Sequence, residues 1–200
     1  MYNLIRWIIT FIILIIFIIL VKKEKIVLPP LKRNIIMIFI LGGLSTILCL
    51  IPLENALFSF ESPDDAYQYM YLKSLKKDAI IINGESSTKI INKNETVYFP
   101  RKEDGWKLDP ISVPKIVYKE AIDKYSIHII RYGNTDDYYV TVTSYNNKKF
   151  TLSDSKKSKF QSNDITGNAD ITIYSYVGCV NSIEDNYYIL IDDEKILINI

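Results

Sequence analysis

The chain has 200 residues, a formal net charge of +1 and two cysteines, so the portion beyond residue 53 is long enough for one domain or two small ones and has no disulfide framework to substitute for a packed core. The near-zero charge hides an asymmetry: six of the 24 basic and one of the 23 acidic residues precede residue 54, leaving 18 basic against 22 acidic beyond it. An acidic C-terminal portion of this kind is a poor nucleic-acid binder.

Residues 35–53 (IIMIFILGGLSTILCLIPL) hold no charge and lie just before the composition turns polar. At about 1.5 Å per residue, 19 helical residues reach ~28 Å, close to the hydrocarbon thickness of a bilayer. Pro52 stands where it stops a helix rather than breaking one. A second candidate span covers residues 4–21, with its one charge, Arg6, near the end, where a long side chain is expected to snorkel to headgroups. Trp7 beside it suits an interfacial belt. Both stretches are apolar all round, which argues against core helices of a soluble chain this size. The first is longer than a signal-peptide core and is followed by VKKEKI, with no small-x-small cleavage site, so it is expected to stay uncleaved.

Orientation follows from the cations. The loop 22–34 carries Lys22, Lys23, Lys25, Lys32 and Arg33 against Glu24 alone, whereas Glu54, Glu61, Asp64 and Asp65 precede the next basic residue, Lys73. The positive-inside rule makes the loop cytoplasmic and places the portion after residue 53 outside. Pro29-Pro30 stiffens the hairpin. Gly42 and Thr46, with Gly43 and Ser45 adjacent, form a small-x-x-x-small face that suits packing on the first span or on a second copy.

Beyond the spans, Ser62-Pro63-Asp64-Asp65 is a helix start, with an N-cap, a proline at the first position and carboxylates in the positive first turn. The helix is predicted to reach Lys77, with Lys73, Lys76 and Lys77 near its negative end and an apolar face of Ala66, Tyr69, Met70 and Leu72 or Leu75. The period then changes from about 3.6 to 2. Residues 79–82 and 87–91 flank Asn83-Gly84, a hairpin signal. Lys93-Asn94 turns into 95–101, and Glu103-Asp104-Gly105 leads to 106–108. A proline-marked segment, 109–114, reads as a boundary. Residues 125–132 pair with 138–144 across 133–137, and 149–152 follows. Residues 153–170 read as a long loop, 171–180 as a strand, and YYILI-DDEK-ILINI as a closing hairpin that ends on a completed strand. The predicted class is α+β: a transmembrane hairpin over 1–53, a helix plus β-meander over 54–108, and a β-rich unit over 109–200.

The combination of FESPDDAYQYMY, a meander ending DGWKL, SDSKKSKF and the terminal YYILIDDEKI hairpin resembles membrane-anchored or secreted proteins of low-GC Gram-positive bacteria, themselves uncharacterised. The resemblance covers most of residues 58–200. It implies a shared fold and carries no catalytic residue with it.

Chemistry is sparse. His128, the single histidine, lies in an alternating strand with no nucleophile signature near it. Neither H-E-x-x-H nor C-x-x-C occurs, and no Gly-rich phosphate loop is present, so no catalytic, cofactor or metal residues are assigned. Asp192-Asp193-Glu194 lacks the spacing of a calcium loop and reads as a hairpin turn. Asn94-Glu95-Thr96 matches a glycosylation acceptor but reads as a turn. Cys179, in a strand-like run, reads as a small buried hydrophobe. The expected role is a non-enzymatic, membrane-anchored extracytoplasmic module that acts by binding, of an envelope-associated, sensory-accessory or immunity type. The alternatives are an envelope hydrolase with a site assembled from distant acids and tyrosines, or a subunit of a membrane assembly. The implied partners are the lipid bilayer and another membrane or envelope protein, with no nucleic acid and no cofactor. If an acid–base site existed, His128, Asp137, Glu184 and Asp192 would be the first residues to test.

Overall fold

The computed structural model describes residues 2–23, 26–93, 95–122, 124–145, 148–166 and 172–200. The chain divides into two compact units: Met1–Leu75 with Lys107–Ile111, and Lys76–Trp106 with Ser112–Ile200.

The first unit is helical. Helix α1 spans Tyr2–Lys22 and α2 spans Pro30–Leu50; both are long and apolar enough to cross a membrane, and only 11% and 17% of their most apolar windows is buried. Rods so little covered by protein are not core helices. The two run antiparallel, since the Tyr2 hydroxyl donates to the Cys49 carbonyl at 2.8 Å and Arg6 Nε to the Leu48 carbonyl at 3.0 Å. Pro29 precedes α2 and Pro30 opens it, where a residue that cannot donate from its nitrogen suits a helix start. Within α2, Phe39–Leu44 winds as a π-helix. Gly43 leaves room there for the Phe39 ring, from which a Cβ would lie 3.0 Å. The helix stops where Ile51, forced towards extended backbone by Pro52, takes φ −100° and ψ 111°.

Two readings of the spans change. Arg6 does not snorkel outward; it is 2% exposed and turned into the seam between the helices. The seam itself uses Thr10 and Ser45, both buried, while Gly42 and Thr46 are exposed. The hydroxyls of Thr10 and Ser45 return to carbonyls of their own helices, Arg6 and Leu41.

A short helix, α3 (Glu54–Leu57), follows, then α4 (Pro63–Tyr71). Ser62 caps α4 as expected, accepting the Asp65 amide at 3.1 Å. The helix ends six residues before Lys77, because Leu72 enters the left-handed region at φ 57° and its amide closes on the Gln68 carbonyl at 2.8 Å. The residues α4 buries are Ala66 and Tyr67. Leu72 is left 60% exposed, so nothing holds a further turn, and Lys73, Lys76 and Lys77 fall outside the helix.

The second unit is built from antiparallel strands. Among the described residues, β1 (Ile80–Asn83), β2 (Ser87–Asn92), β3 (Glu95–Lys102) and β4 (Gly105–Trp106) form a meander. The larger sheet has β5 (Lys115–Ile122), β6 (Tyr125–Arg131), β7 (Asp137–Ser144), β11 (Thr172–Asn181) and β10 (Ile165–Thr166), with β9 (Phe160–Ser162) also on β11. A third sheet orders β13 (Glu194–Leu197), β12 (Tyr188–Ile191) and β8 (Leu152–Asp154). Alternation along β7 gives the large sheet two apolar faces. Val140 and Val142, with Ile127, Ile129 and Val180, meet Ile189, Ile191 and Ile196 of the third sheet. Tyr139 and Val177 meet Ile82 and Ile91 of the meander. The unit is therefore three β layers with the large sheet between the other two.

The class is α+β, with two long apolar N-terminal helices and an antiparallel β portion. Strand β5 was not foreseen, and 153–170 is not a bare loop, since β8 extends to Asp154 and β9 and β10 lie within it; residues 167–170 lie outside the described set. The strand read at 149–152 coincides with β8 only at Leu152. The closing hairpin has a two-residue turn, Asp192 (φ 47°) and Asp193 (φ 69°), with Glu194 and Lys195 already paired in β13.

Candidate functional site

Each unit contains a buried polar cluster built on a carboxylate. In the first, Arg6 donates both terminal guanidinium nitrogens to the two Glu54 carboxylate oxygens, and the Tyr69 hydroxyl donates to Glu54 as well. The guanidinium lies 3.8 Å from the Tyr2 ring centroid. Thus α1, α3 and α4 are tied through one carboxylate that is 6% exposed. Burial pushes the Glu54 carboxyl up, but the bonds from Arg6 and Tyr69 outweigh it, so it titrates below the usual carboxylate range. Burial and the bond to Glu54 push the Tyr69 hydroxyl up to about 12. At neutral pH the cluster is therefore Arg⁺, Glu⁻ and a neutral tyrosine.

The second cluster joins the meander to the large sheet. The Asp137 carboxylate accepts the amides of Glu85 and Ser86 at 2.9 and 3.0 Å, and the Ser87 hydroxyl at 2.5 Å. Ser87 Oγ also lies 2.8 Å from the Tyr139 hydroxyl. Asp137 thereby fills the β1–β2 turn, and a Cβ on Gly84 would lie 2.4 Å from its carboxyl carbon. This is why the Asn-Gly turn needs its glycine. Two residues along β2, Lys89 is 4% exposed, its ammonium 5.9 and 5.8 Å from the Tyr98 and Tyr139 ring centroids. Burial pushes this amine down to about 8 and the neighbouring Cys179 thiol up to about 12, so the thiol is inert at neutral pH.

A serine beside a carboxylate and a lysine invites a nucleophilic reading. Ser87, however, is fully buried and its hydroxyl is committed to Asp137 and Tyr139. A nucleophile must reach a substrate carbonyl or phosphorus, and this one faces a packed junction between two sheets. The chemistry of the cluster is structural: it satisfies a tight turn and joins two layers.

The four residues singled out in sequence do not converge. His128 lies on β6 opposite Lys119 and Thr141, and burial, then Lys119, hold its pKa down. Asp137 is the turn carboxylate above. Glu184 pairs with Lys156 at 3.0 Å with its side chain 76% exposed. Asp192 accepts the Thr151 amide at 2.8 Å and the Tyr125 hydroxyl at 2.9 Å, bonds that hold its carboxyl below the usual range. Among the described residues no cluster of three or more histidine, cysteine or acidic side chains forms a metal site, and Asn94 of the glycosylation triplet lies outside them. Cys49 and Cys179 are both free thiols.

What sequence reasoning missed was the partnership of Arg6 with Glu54. Two antiparallel spans joined by a short loop put the start of the first beside the end of the second, so opposite charges at residues 6 and 54 were a readable signal. Ser87 and Lys89 carried none, because alternate polar residues on a strand ordinarily face water.

Comparison with family models, with curated proteins and with solved structures found no significant match.

Proposed function

We propose that the protein is a membrane-anchored module in which α1 and α2 cross the bilayer, with the 22–34 loop cytoplasmic and the β unit outside, and that it acts by binding rather than catalysis. The observation that carries the anchor is the sidedness of the helix pair. Every charged or hydroxyl group at its seam is bonded inward, while Ile8, Phe11, Ile12, Ile15, Ile16 and Ile19 are each about half exposed, the arrangement a hydrocarbon solvent selects. The cation-rich loop supports the orientation. The binding role is supported by the dispersal of Asp137, Glu184 and Asp192 into separate stabilising partnerships, with His128 on β6 opposite Lys119.

The anchor and its orientation are tested by adding protease to intact protoplasts. The expected result is loss of the portion after residue 53 with the loop protected. Protection of the β unit with cleavage in the loop would reverse the topology, and release of the whole chain by a carbonate wash would remove the anchor.

A further inference from the structure

The segment after α2 has the wrong polarity for a chain surrounded by water. Helix α3 turns its polar residues inward. Glu54 is held by Arg6 and Tyr69, and Asn55 clamps the Leu108 backbone, donating to its carbonyl at 2.7 Å and accepting its amide at 2.8 Å. The other side is apolar and open: Leu53 is 43% exposed, Leu57 81% and Phe58 44%. Leu53 already has helical dihedrals, so Leu53 and Leu57, four apart, share a face. A helix between protein and water shows the reverse arrangement.

A second feature agrees. Leu72 occupies a left-handed position (φ 57°) that glycine would hold at lower cost. Its side chain is 60% exposed and lines, with Phe60 and Tyr69, an open groove of about 360 Å³. Phe58 and Phe60 meet the Tyr69 ring at 6.3 and 5.4 Å. An exposed leucine kept where glycine is favoured points to a surface that is covered in use.

We infer that residues 51–58, with Leu72, form an interfacial lipid-binding collar, embedded at the acyl–headgroup boundary of the leaflet that α2 leaves. This rests on the anchoring reading above. The bilayer is the occupant because the exposed apolar surface continues from the end of α2, through Ile47, Leu50 and Ile51, each about half exposed, into Leu53, Leu57 and Phe58. Exposed leucine and phenylalanine with inward polar groups is the polarity of an interfacial element. Trp7 and Leu4, about half exposed at the start of α1, supply the aromatic and aliphatic neighbours of such a belt.

The test uses the full chain in phosphatidylcholine–phosphatidylglycerol vesicles, with a nitroxide on single cysteines (I15C, L57C or L72C) in a C49A/C179A background. Collision with apolar oxygen is compared with collision with a water-soluble nickel chelate. The expected result is a several-fold preference for oxygen at 57 and 72, approaching that at 15. Oxygen preference at 15 with free nickel access at 57 and 72 overturns the collar and leaves the anchor standing. Shielding of 57 and 72 from both reagents also overturns it, because protein then covers the surface. Nickel access at 15 removes the anchor and the collar together. If the cysteine-free chain does not insert, L57W in the otherwise native chain gives the same readout: quenching by chain-brominated lipid above the native level is expected, and unchanged quenching overturns the collar.

Discussion

The two units solve opposite solvation problems with the same kind of part. Each buries a carboxylate that binds donors from different elements, Glu54 in the helical unit and Asp137 in the β unit. Glu54 is matched by a full cation, and the surface around it is apolar and open. Asp137 is matched, among the described residues, by two amides and a hydroxyl. A carboxylate needs a counter-ion where no water is near to share its charge, and can do without one where several oriented dipoles surround it. The partner set of each carboxylate, a cation in one unit and oriented dipoles in the other, is what sets the two apart.

The sharpest way to break this comparison is to strip one partner from each carboxylate. E54A leaves Arg6 buried and unpaired, and is expected to cost about 3–5 kcal/mol in detergent-titrated unfolding of the whole protein; the double variant R6L/E54L should recover much of it. Additive losses would show that the pair is not coupled. Because its folded pKa is depressed, the contribution of Glu54 is fully present above the ordinary carboxylate pKa and is lost as pH falls through the lower, folded value. D137A is expected to cost about 3 kcal/mol in the β unit, since two amides and a serine hydroxyl lose their acceptor. A fall in thermal midpoint no larger than that of E184A would show that the turn does not depend on this carboxylate.

Lys89 sharpens the contrast from the other side, as a buried charge held between two tyrosine faces. Moving its pKa from 10.5 down to about 8, at ~1.4 kcal/mol per tenfold, makes its burial cost about 3 kcal/mol at neutral pH, part of it offset by the two tyrosine faces. K89M is therefore expected to stabilise the chain. The sign with pH is fixed: between about 8 and 10.5 the unfolded chain holds more protons, so native stability rises with pH across that window. K89M should abolish the rise, and an unchanged pH profile would show that the amine is not buried in solution. The smallest effects belong to the surface: D192A about 1 kcal/mol through its turn bonds, and E184A below ~0.5 kcal/mol because its ion pair is exposed. A full loss of function in a folded E184A or H128A protein would end the non-catalytic reading.

Much of the architecture was readable from local pattern. The spans, the Ser62 cap, the Asn83-Gly84 hairpin and the β6–β7 pair all follow from periodicity and turn chemistry. The misses come from interrupted or very short local patterns and from partners elsewhere in the chain. Strand β5 escaped because a bulge between Ile116 and Tyr118 breaks its alternation. The strands β9 and β10 are only three and two residues long, and β9 exists because Gly178 lets it cross, a Cβ there lying 2.7 Å from the Phe160 ring. The α4 end was misplaced because the apolar pattern continues past Tyr71 with nothing for Leu72 to pack on. Of the polar clusters, Arg6–Glu54 was in principle legible from the helical hairpin, and Ser87–Asp137 was not, since no local pattern sets the β1–β2 turn beside the start of β7.

The π-helical stretch at Phe39–Leu44 has a genetic consequence. A π turn holds one more residue than the α turn it replaces, so losing any single residue from this stretch lets the helix relax to ordinary winding without breaking it. Residues before the stretch and after it would keep their orientations. The same deletion a few residues later, between Ser45 and Ile47, would swing everything beyond it by about 100° and carry the Leu48 and Cys49 carbonyls away from Arg6 and Tyr2. In-frame single-codon deletions scanned along α2 should therefore show a short island of tolerance at codons 39–44, flanked by positions where the protein is lost.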